Sequence, residues 1–402
     1  MGRRVAVTGL GLVSAFGNQV DEFWDALLAG RSAATETVLA GLTPVSACRV
    51  PDFDVDAVIG RRESKRMDRV GVFAVVAATA ALVDAGEHGI PGERFGASIA
   101  CVHGGAATLE EAQRALYERG IDRVSPFTIP LGLTNSPVAG VARLHGLRGP
   151  SSAPATACAA GSDAIGFAYE RIRYGQADGM VVGGAEAAIV PTVMAGYLRL
   201  GAIASLARGA AGASCPFDRA RDGFVMAEGS GVLVLEEMEH ARARGARIYG
   251  EVVGYGQSCD AGHLTSPDET GQGPARAIAA ALEDAGIDAA RIGYVNAHAT
   301  STPVGDKAEA AALRLAGLGA TPVSSTKGQH GHTLGAAGAI EAIAALVSFS
   351  RDLLLPCGNL ADPDPDVDLN LVHEARSASP EYVMSTGFGF GGHDTALVLR
   401  RA

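Results

Sequence analysis

The chain has 402 residues, of which 48% are hydrophobic and 19% charged, with a net charge of −11; an average soluble domain is roughly 25% charged. This composition excludes a disordered or fibrous protein, and the acidic balance argues against nucleic acid as a general partner, because phosphate binding needs a cationic footprint. At this length two packed units are expected, and the shortage of charge suggests a buried subunit interface.

In chain order, residues 5–10 (VAVTGL) read as a strand and residues 20–28 as a helix, with Val20, Phe23, Leu27 and Leu28 at helical spacing. Residues 97–102, 179–184 and 231–235 are apolar runs of the kind buried strands show. The pattern then restarts. Residues 248–254 resemble the opening strand, and 274–285 read as a helix with Pro274 suited to its first turn and Gly286 to its stop. Further strands are expected at 294–295, 323–325 and 396–399. The reading is an α/β protein of two related halves, 1–245 and 246–402.

The longest apolar run, residues 70–83, is shorter than the ~20 residues of a spanning helix. No cleavage or lipidation signal precedes the first strand. A soluble, cytoplasmic protein without a membrane partner is expected. The six cysteines are scattered without CxxC or metal-ligand spacing, which fits reduced thiols and no metal.

Four segments carry candidate chemistry. Cys158, in TACAAG, precedes a helical stretch running to about Tyr174. At a helix start the unpaired N–H groups and the dipole favour thiolate and can face an oxyanion; the same segment fits a buried, inert core cysteine equally well. His298, in NAHATSTP, ends a strand, and His332, in GHTLGAAG, sits in a turn, the places where α/β proteins assemble sites. A lone histidine there is usually structural, but two beside a cysteine point to nucleophilic catalysis. Between residues 334 and 349 the only charge is Glu341, which needs a partner if buried. Lys327 is the candidate, and it stands out because the chain has only three lysines (Lys65, Lys307, Lys327) against thirty arginines.

Three patterns are set aside. Residues 387–392 (GFGFGG) fit GxGxxG but lead into a strand rather than a helix, so a dinucleotide site is not expected. Ser324 and Lys327 fit SxxK without its SDN and KTG companions. Asp362, Asp364 and Asp366 lack the glycine and glutamate of a calcium loop. A basic patch is expected where Arg61, Arg62, Lys65, Arg66 and Arg69 share an arc of roughly 140° on a helix; it would dock an acidic partner, or serve only as a solvated face.

These motifs, in order and spacing, resemble the β-ketoacyl-acyl carrier protein synthases of the type II elongating class over residues 4–400. The resemblance implies a thiolase-like fold, two related halves layered α-β-α-β-α, and decarboxylative condensation of an acyl chain on Cys158 with malonyl carrier protein. It implies an oxyanion hole from the Cys158 and Phe390 N–H groups, an enolate held by His298 and His332, and orientation by Lys327, Glu341, Asp306 and Glu309. Thr300 and Thr302 would hold the pantetheine arm, Phe388 and Phe390 would gate the pocket, and no cofactor would be needed. Acyl carrier protein would dock at Arg62, Lys65, Arg66, Arg69 and Arg123, and the chain would form a homodimer or a heterodimer with a chain-length factor; the alternative is that the chain is itself such a non-catalytic partner. Departures are Gly201 where many relatives carry arginine, Asp122 beside Arg123, GGHDT for GGTN, the Gln329-His330 pair, and His103 and Tyr197 where an acyl pocket is commonly apolar. They suggest a polyketide rather than a housekeeping fatty acid system.

Overall fold

The all-buried strand β1 (Val5–Val13) can exist only with both faces covered, and the covering shows why its sequence is glycine-rich. In the computed structural model, which describes residues 2–402, a Cβ on Gly9 or Gly11 would lie 2.2 or 1.9 Å from the carbonyl oxygens of Ala81 and Ala77 in α1 (Arg69–Ala85). Glycine against alanine lets helix and strand backbones touch. The second half repeats this contact. In β6 (Gly250–Cys259), Gly254 and Gly256 lie against Ala281 and Ala277 of α4 (Gln272–Ala285), with corresponding distances of 2.3 and 2.1 Å.

The repeat extends to topology. The first half holds β1, β2 (Phe95–Ala100), β3 (Ser151–Ser152), β4 (Gly179–Glu186) and β5 (Gly229–Glu237) in the order β1-β5-β4-β2-β3. The second holds β6, β7 (Ile292–Asn296), β8 (Pro322–Ser324), β9 (Asn370–Leu371), β10 (Tyr382–Gly389) and β11 (His393–Arg400) in the order β6-β11-β10-β7-β8-β9. Apart from the edge strand β9 the two orders are the same. In each, the first strand pairs antiparallel with the last, and the second and third pair in parallel. A short antiparallel contact, Val5↔Val252 to Val7↔Gly250, joins the halves into one 11-stranded sheet.

Helices α1 and α2 (Ser136–His145) cover the outer face of the first half, and α4 and α5 (Pro303–Leu315) that of the second. Between the halves lie α3 (Ala160–Arg173) and α6 (Ala337–Arg351), packed on each other and on strands of both. This is the expected α-β-α-β-α layering. The stretch Leu334–Arg351, rather than residues 70–83, is the one among the described residues long and apolar enough to cross a membrane; it is 89% buried as the central layer. GFGFGG ends β10 and turns into β11, a hairpin with no following helix.

Candidate active site

Both central helices begin with a strained turn, and the site forms where the two turns meet. Ala157 (φ 48°) and Leu334 (φ 48°) occupy the left-handed region without being glycine, at a cost of about 1–3 kcal/mol each of the kind stored at functional sites. Cys158 follows Ala157 in a 3₁₀ turn leading into α3. His332 immediately precedes the second turn, and its Nε2 lies 3.0 Å from Cys158 Sγ. His298 extends from the end of β7, with its ring centroid 5.4 Å from that of His332. Residues 158, 298 and 332 thus converge on one point, with their ligating atoms within 4.8 Å of one another.

The electrostatics differ from the expectation of a stabilised thiolate. Burial pushes the Cys158 thiol up to about 12, and the Lys327 charge and the Phe390 backbone N–H only partly offset it. Burial, reinforced by Lys327, holds both His298 and His332 well below the usual histidine range, so both imidazoles are neutral near pH 7. The positive charge belongs to Lys327, fully buried and ion-paired with the equally buried Glu341. Burial pushes the Glu341 carboxyl up, and the Lys327 ammonium beside it pulls it back toward the ionised form.

Positioning of His298 comes from the backbone. Glu309, inside α5, accepts the N–H groups of His298 and Ala299 at 2.9 and 2.6 Å, and Thr386 of β10 donates to the same carboxylate at 2.6 Å. Asp306, one helical turn earlier, accepts from the Ser301 and Phe217 N–H groups at 3.1 and 2.8 Å and lies 3.5 Å from buried Arg221. Asp306 and Glu309 therefore hold the loop that carries His298 and do not touch the ring. Lys307, between them, is exposed and paired with Asp364 and Asp366, away from the site. Ser324 is engaged by the Tyr294 hydroxyl at 2.6 Å.

A cavity of about 320 Å³ opens onto the sulfur. Its wall includes Thr300 and Thr302, whose hydroxyls are 3.1 Å apart, and Phe388 and Phe390 of the β10 hairpin. The Phe388 ring is 5.8 Å from that of His298 and the Phe390 ring 6.2 Å from that of Tyr197. A Cβ on Gly389 would sit 2.6 Å from the Thr156 carbonyl and 3.0 Å from the Cys158 nitrogen, so only glycine lets the hairpin bring the Phe390 N–H to the sulfur. Tyr197 lines the cavity, and His103 stands behind it.

The docking patch needs correction. The continuous helix expected over 61–69 is broken: one turn spans Arg61–Ser64, and α1 starts afresh at Arg69, capped by the Asp68 side chain. Arg69 turns inward, bonds Glu228 at 2.6 and 3.0 Å and the Val50 carbonyl at 3.1 Å, and covers the Phe73 ring. It is a structural ion pair, because buried Glu228 has to be neutralised. Arg62, Lys65, Arg66 and Arg123 are exposed. Three contributors escaped sequence reasoning. Phe224 packs its ring 5.2 Å from His332, and Thr386 and Arg221 have no periodicity or motif to mark them. Glu186 had a signal, since it is a lone carboxylate closing an apolar strand, as Glu341 is in its helix.

Comparison with known proteins agrees with this geometry. The family described as "Beta-ketoacyl synthase, N-terminal domain" matches residues 2–241, and "Beta-ketoacyl synthase, C-terminal domain" matches 249–361. A 3-oxoacyl-[acyl-carrier-protein] synthase 2 of Vibrio cholerae is 43% identical over 410 residues, covering 99% of each chain. A ketosynthase solved with its type II PKS acyl-carrier protein and "bound to the hexaketide" superposes with a TM-score of 0.93 at 33% identity, covering 100% of both chains. The ishigamide ketosynthase/chain length factor superposes at 0.91 and 34%, again over 100% of both.

Proposed function

This chain belongs to the β-ketoacyl synthase family, and from that premise we propose how its residues carry out the reaction of a 3-oxoacyl-acyl carrier protein synthase, an acyltransferase of fatty acid or polyketide synthesis. The observation that carries the assignment of roles is the convergence of Cys158, His298 and His332 at one end of a pocket that Lys327 charges from behind.

Cys158 attacks the thioester carbon of an acyl carrier protein. A new carbon–sulfur bond forms, and the carrier thiol leaves with the proton the cysteine gives up. His332 Nε2, at 3.0 Å, is the ring nitrogen that faces the sulfur as that proton leaves. Malonyl carrier protein then binds, its pantetheine arm along Thr300 and Thr302. Its terminal carbon–carbon bond breaks, carbon dioxide departs, and the electron pair remains as an enolate. Neutral His298 and His332 donate N–H bonds to the enolate oxygen; neutrality suits this, because a neutral N–H donor stabilises the oxygen without protonating the carbanion. The carbanion attacks the acyl-Cys158 carbonyl, whose oxyanion faces the Cys158 and Phe390 N–H groups, and collapse expels the Cys158 sulfur.

No metal or redox cofactor enters this scheme. The three converging side chains could in geometry bind a cation, but the Lys327 charge disfavours one there. A silent chain-length-factor-like role is not favoured, because the nucleophile and both histidines are present and assembled. Carrier protein docks at exposed Arg62, Lys65, Arg66 and Arg123, on a cytoplasmic enzyme. A second ketosynthase-fold chain pairs across the segment 116–133, which leaves Leu116, Tyr117, Ile121, Phe127, Ile129 and Leu133 open to solvent.

The test is incubation with acyl and malonyl carrier proteins, followed by mass spectrometry of the product. Condensation by the intact protein and none by Cys158→Ala is expected. Condensation surviving in the variant would overturn the mechanism, and activity appearing only with a cysteine-less paralogue would identify the catalytic half of a heterodimer.

A further inference from the structure

Around Cys158 and Tyr197 the cavity wall carries the apolar side chains of Leu200, Ala202, Phe224 and Leu334. Tyr197 and the residues behind it form a polar assembly among them. The Tyr197 hydroxyl points to His103 Nε2 at 3.4 Å, the outer limit of a hydrogen bond, with the ring centroids 5.9 Å apart. His103 Nδ1 is buried, has no hydrogen-bond partner, and lies 3.4 Å from Glu186 Oε1. Glu186 is fully buried and already accepts the N–H groups of Val102, His103 and Gly335 at 3.1 to 3.2 Å. Burial, with Cys158 and Glu186 nearby, pushes the Tyr197 phenol further up, so it is a neutral O–H group at any working pH.

This is a costly arrangement for a wall that serves a plain hydrocarbon. A phenol and an imidazole in an apolar pocket each lose about 1–3 kcal/mol if poorly satisfied, and a 3.4 Å contact satisfies them poorly. An oxygen atom on a ligand in the cavity, which Tyr197 lines together with Cys158, would give the phenol hydroxyl a short partner. His103 Nε2–H would then donate to the phenol oxygen from behind, leaving the phenol O–H for the ligand, while Glu186 holds the His103 backbone N–H.

We propose that Tyr197, backed by His103 and Glu186, recognises an oxygen substituent on the acyl chain carried by Cys158, so that the enzyme elongates β-oxo- or β-hydroxyacyl chains in preference to saturated chains of equal length. The inference rests on the ketosynthase reading above and names its acyl substrate class. A site built to bond a substrate oxygen discriminates against the analogue that lacks it, because its own polar groups are then left unpaired.

The experiment follows acylation of Cys158 by intact-protein mass spectrometry, using hexanoyl, β-hydroxyhexanoyl and β-oxohexanoyl carrier proteins, then condensation with malonyl carrier protein. The expected kcat/KM ratio favours an oxygenated chain over hexanoyl by about 10- to 100-fold, the size of one well-made hydrogen bond in an enclosed site. In Tyr197→Phe the ratio falls to near one, and in His103→Leu it falls partway, which keeps the test open should one variant fold poorly. Equal use of all three chains, or an unchanged ratio in Tyr197→Phe, overturns the recognition role alone. Failure of every chain to acylate Cys158 or to condense overturns the ketosynthase reading and this inference together.

Discussion

Lys327 and Glu341 are the residues at which stability and chemistry can be separated. Both side chains have 0% exposure, and Glu341 Oε2 has no partner besides, so the ion pair is all that neutralises either charge. Glu341→Leu strands the ammonium in the core, with Glu309 the remaining carboxylate that feels its charge. Removing one member of such a pair costs about 3–5 kcal/mol, which at 1.4 kcal/mol per factor of ten is a loss of roughly a hundred- to a few thousand-fold in the folding equilibrium. The double variant Lys327→Met, Glu341→Leu removes both charges and fills their volume. It should return to within ~1 kcal/mol of the parent or exceed it. Its chemistry should not return. Burial still depresses His298 and His332, but the second cause, Lys327, is gone, so both rise toward the ordinary range. The neutral forms are then lost at a higher pH on acidification, and the acid limb of the condensation pH profile moves up. Urea unfolding and a kcat/KM profile against pH are the assays. A double variant as unstable as Glu341→Leu, or one with an unshifted acid limb, would refute the electrostatic reasoning.

Asp394 is raised by burial, and by the facing Asp260 carboxylate, to about 8. The folded state therefore holds a proton that the unfolded chain releases near 3.8, and this contribution, complete below pH 4, is lost as pH rises through 8. Asp394→Asn should flatten that decline in urea midpoints measured from pH 5 to 9; parallel curves for variant and parent would exclude the carboxyl pair as its source. Gly389→Ala should lower kcat at least tenfold, with about 1–3 kcal/mol of destabilisation from the clash with Thr156 and Cys158; full activity would show that the hairpin need not approach the sulfur. Reversing Arg62 and Arg66 to Glu should raise KM for the carrier protein without altering unfolding. Arg69→Ala should do the opposite, costing about 1–3 kcal/mol by leaving Glu228 unpaired, and a carrier-specific KM effect from Arg69 alone would restore it to the docking face.

Much of this was legible before folding because it is local chemistry. A lone carboxylate in an apolar helix demands a counter-ion, and the scarcity of lysine pointed to Lys327. The restart of the strand–helix pattern after residue 245 reflects the Gly-against-Ala contact now seen twice. Arg69 was misread because helical periodicity supposes an unbroken helix, and a break at residues 65–68 rotates everything beyond it. The thiolate expectation for Cys158 counted the helix start but not the burial, which depends on how the two halves close.

The sequence by itself thus determined the α/β class, the doubled halves, and which side chains could act as nucleophile, proton donor and buried ion pair, since these follow from residue type and short-range spacing. Only the tertiary structure decided the protonation states, the hold of Glu309 and Thr386 on the His298 backbone, and the Tyr197–His103–Glu186 assembly. Each depends on desolvation or on contact between elements remote in the chain, and those are set by how the two halves pack around their central helices.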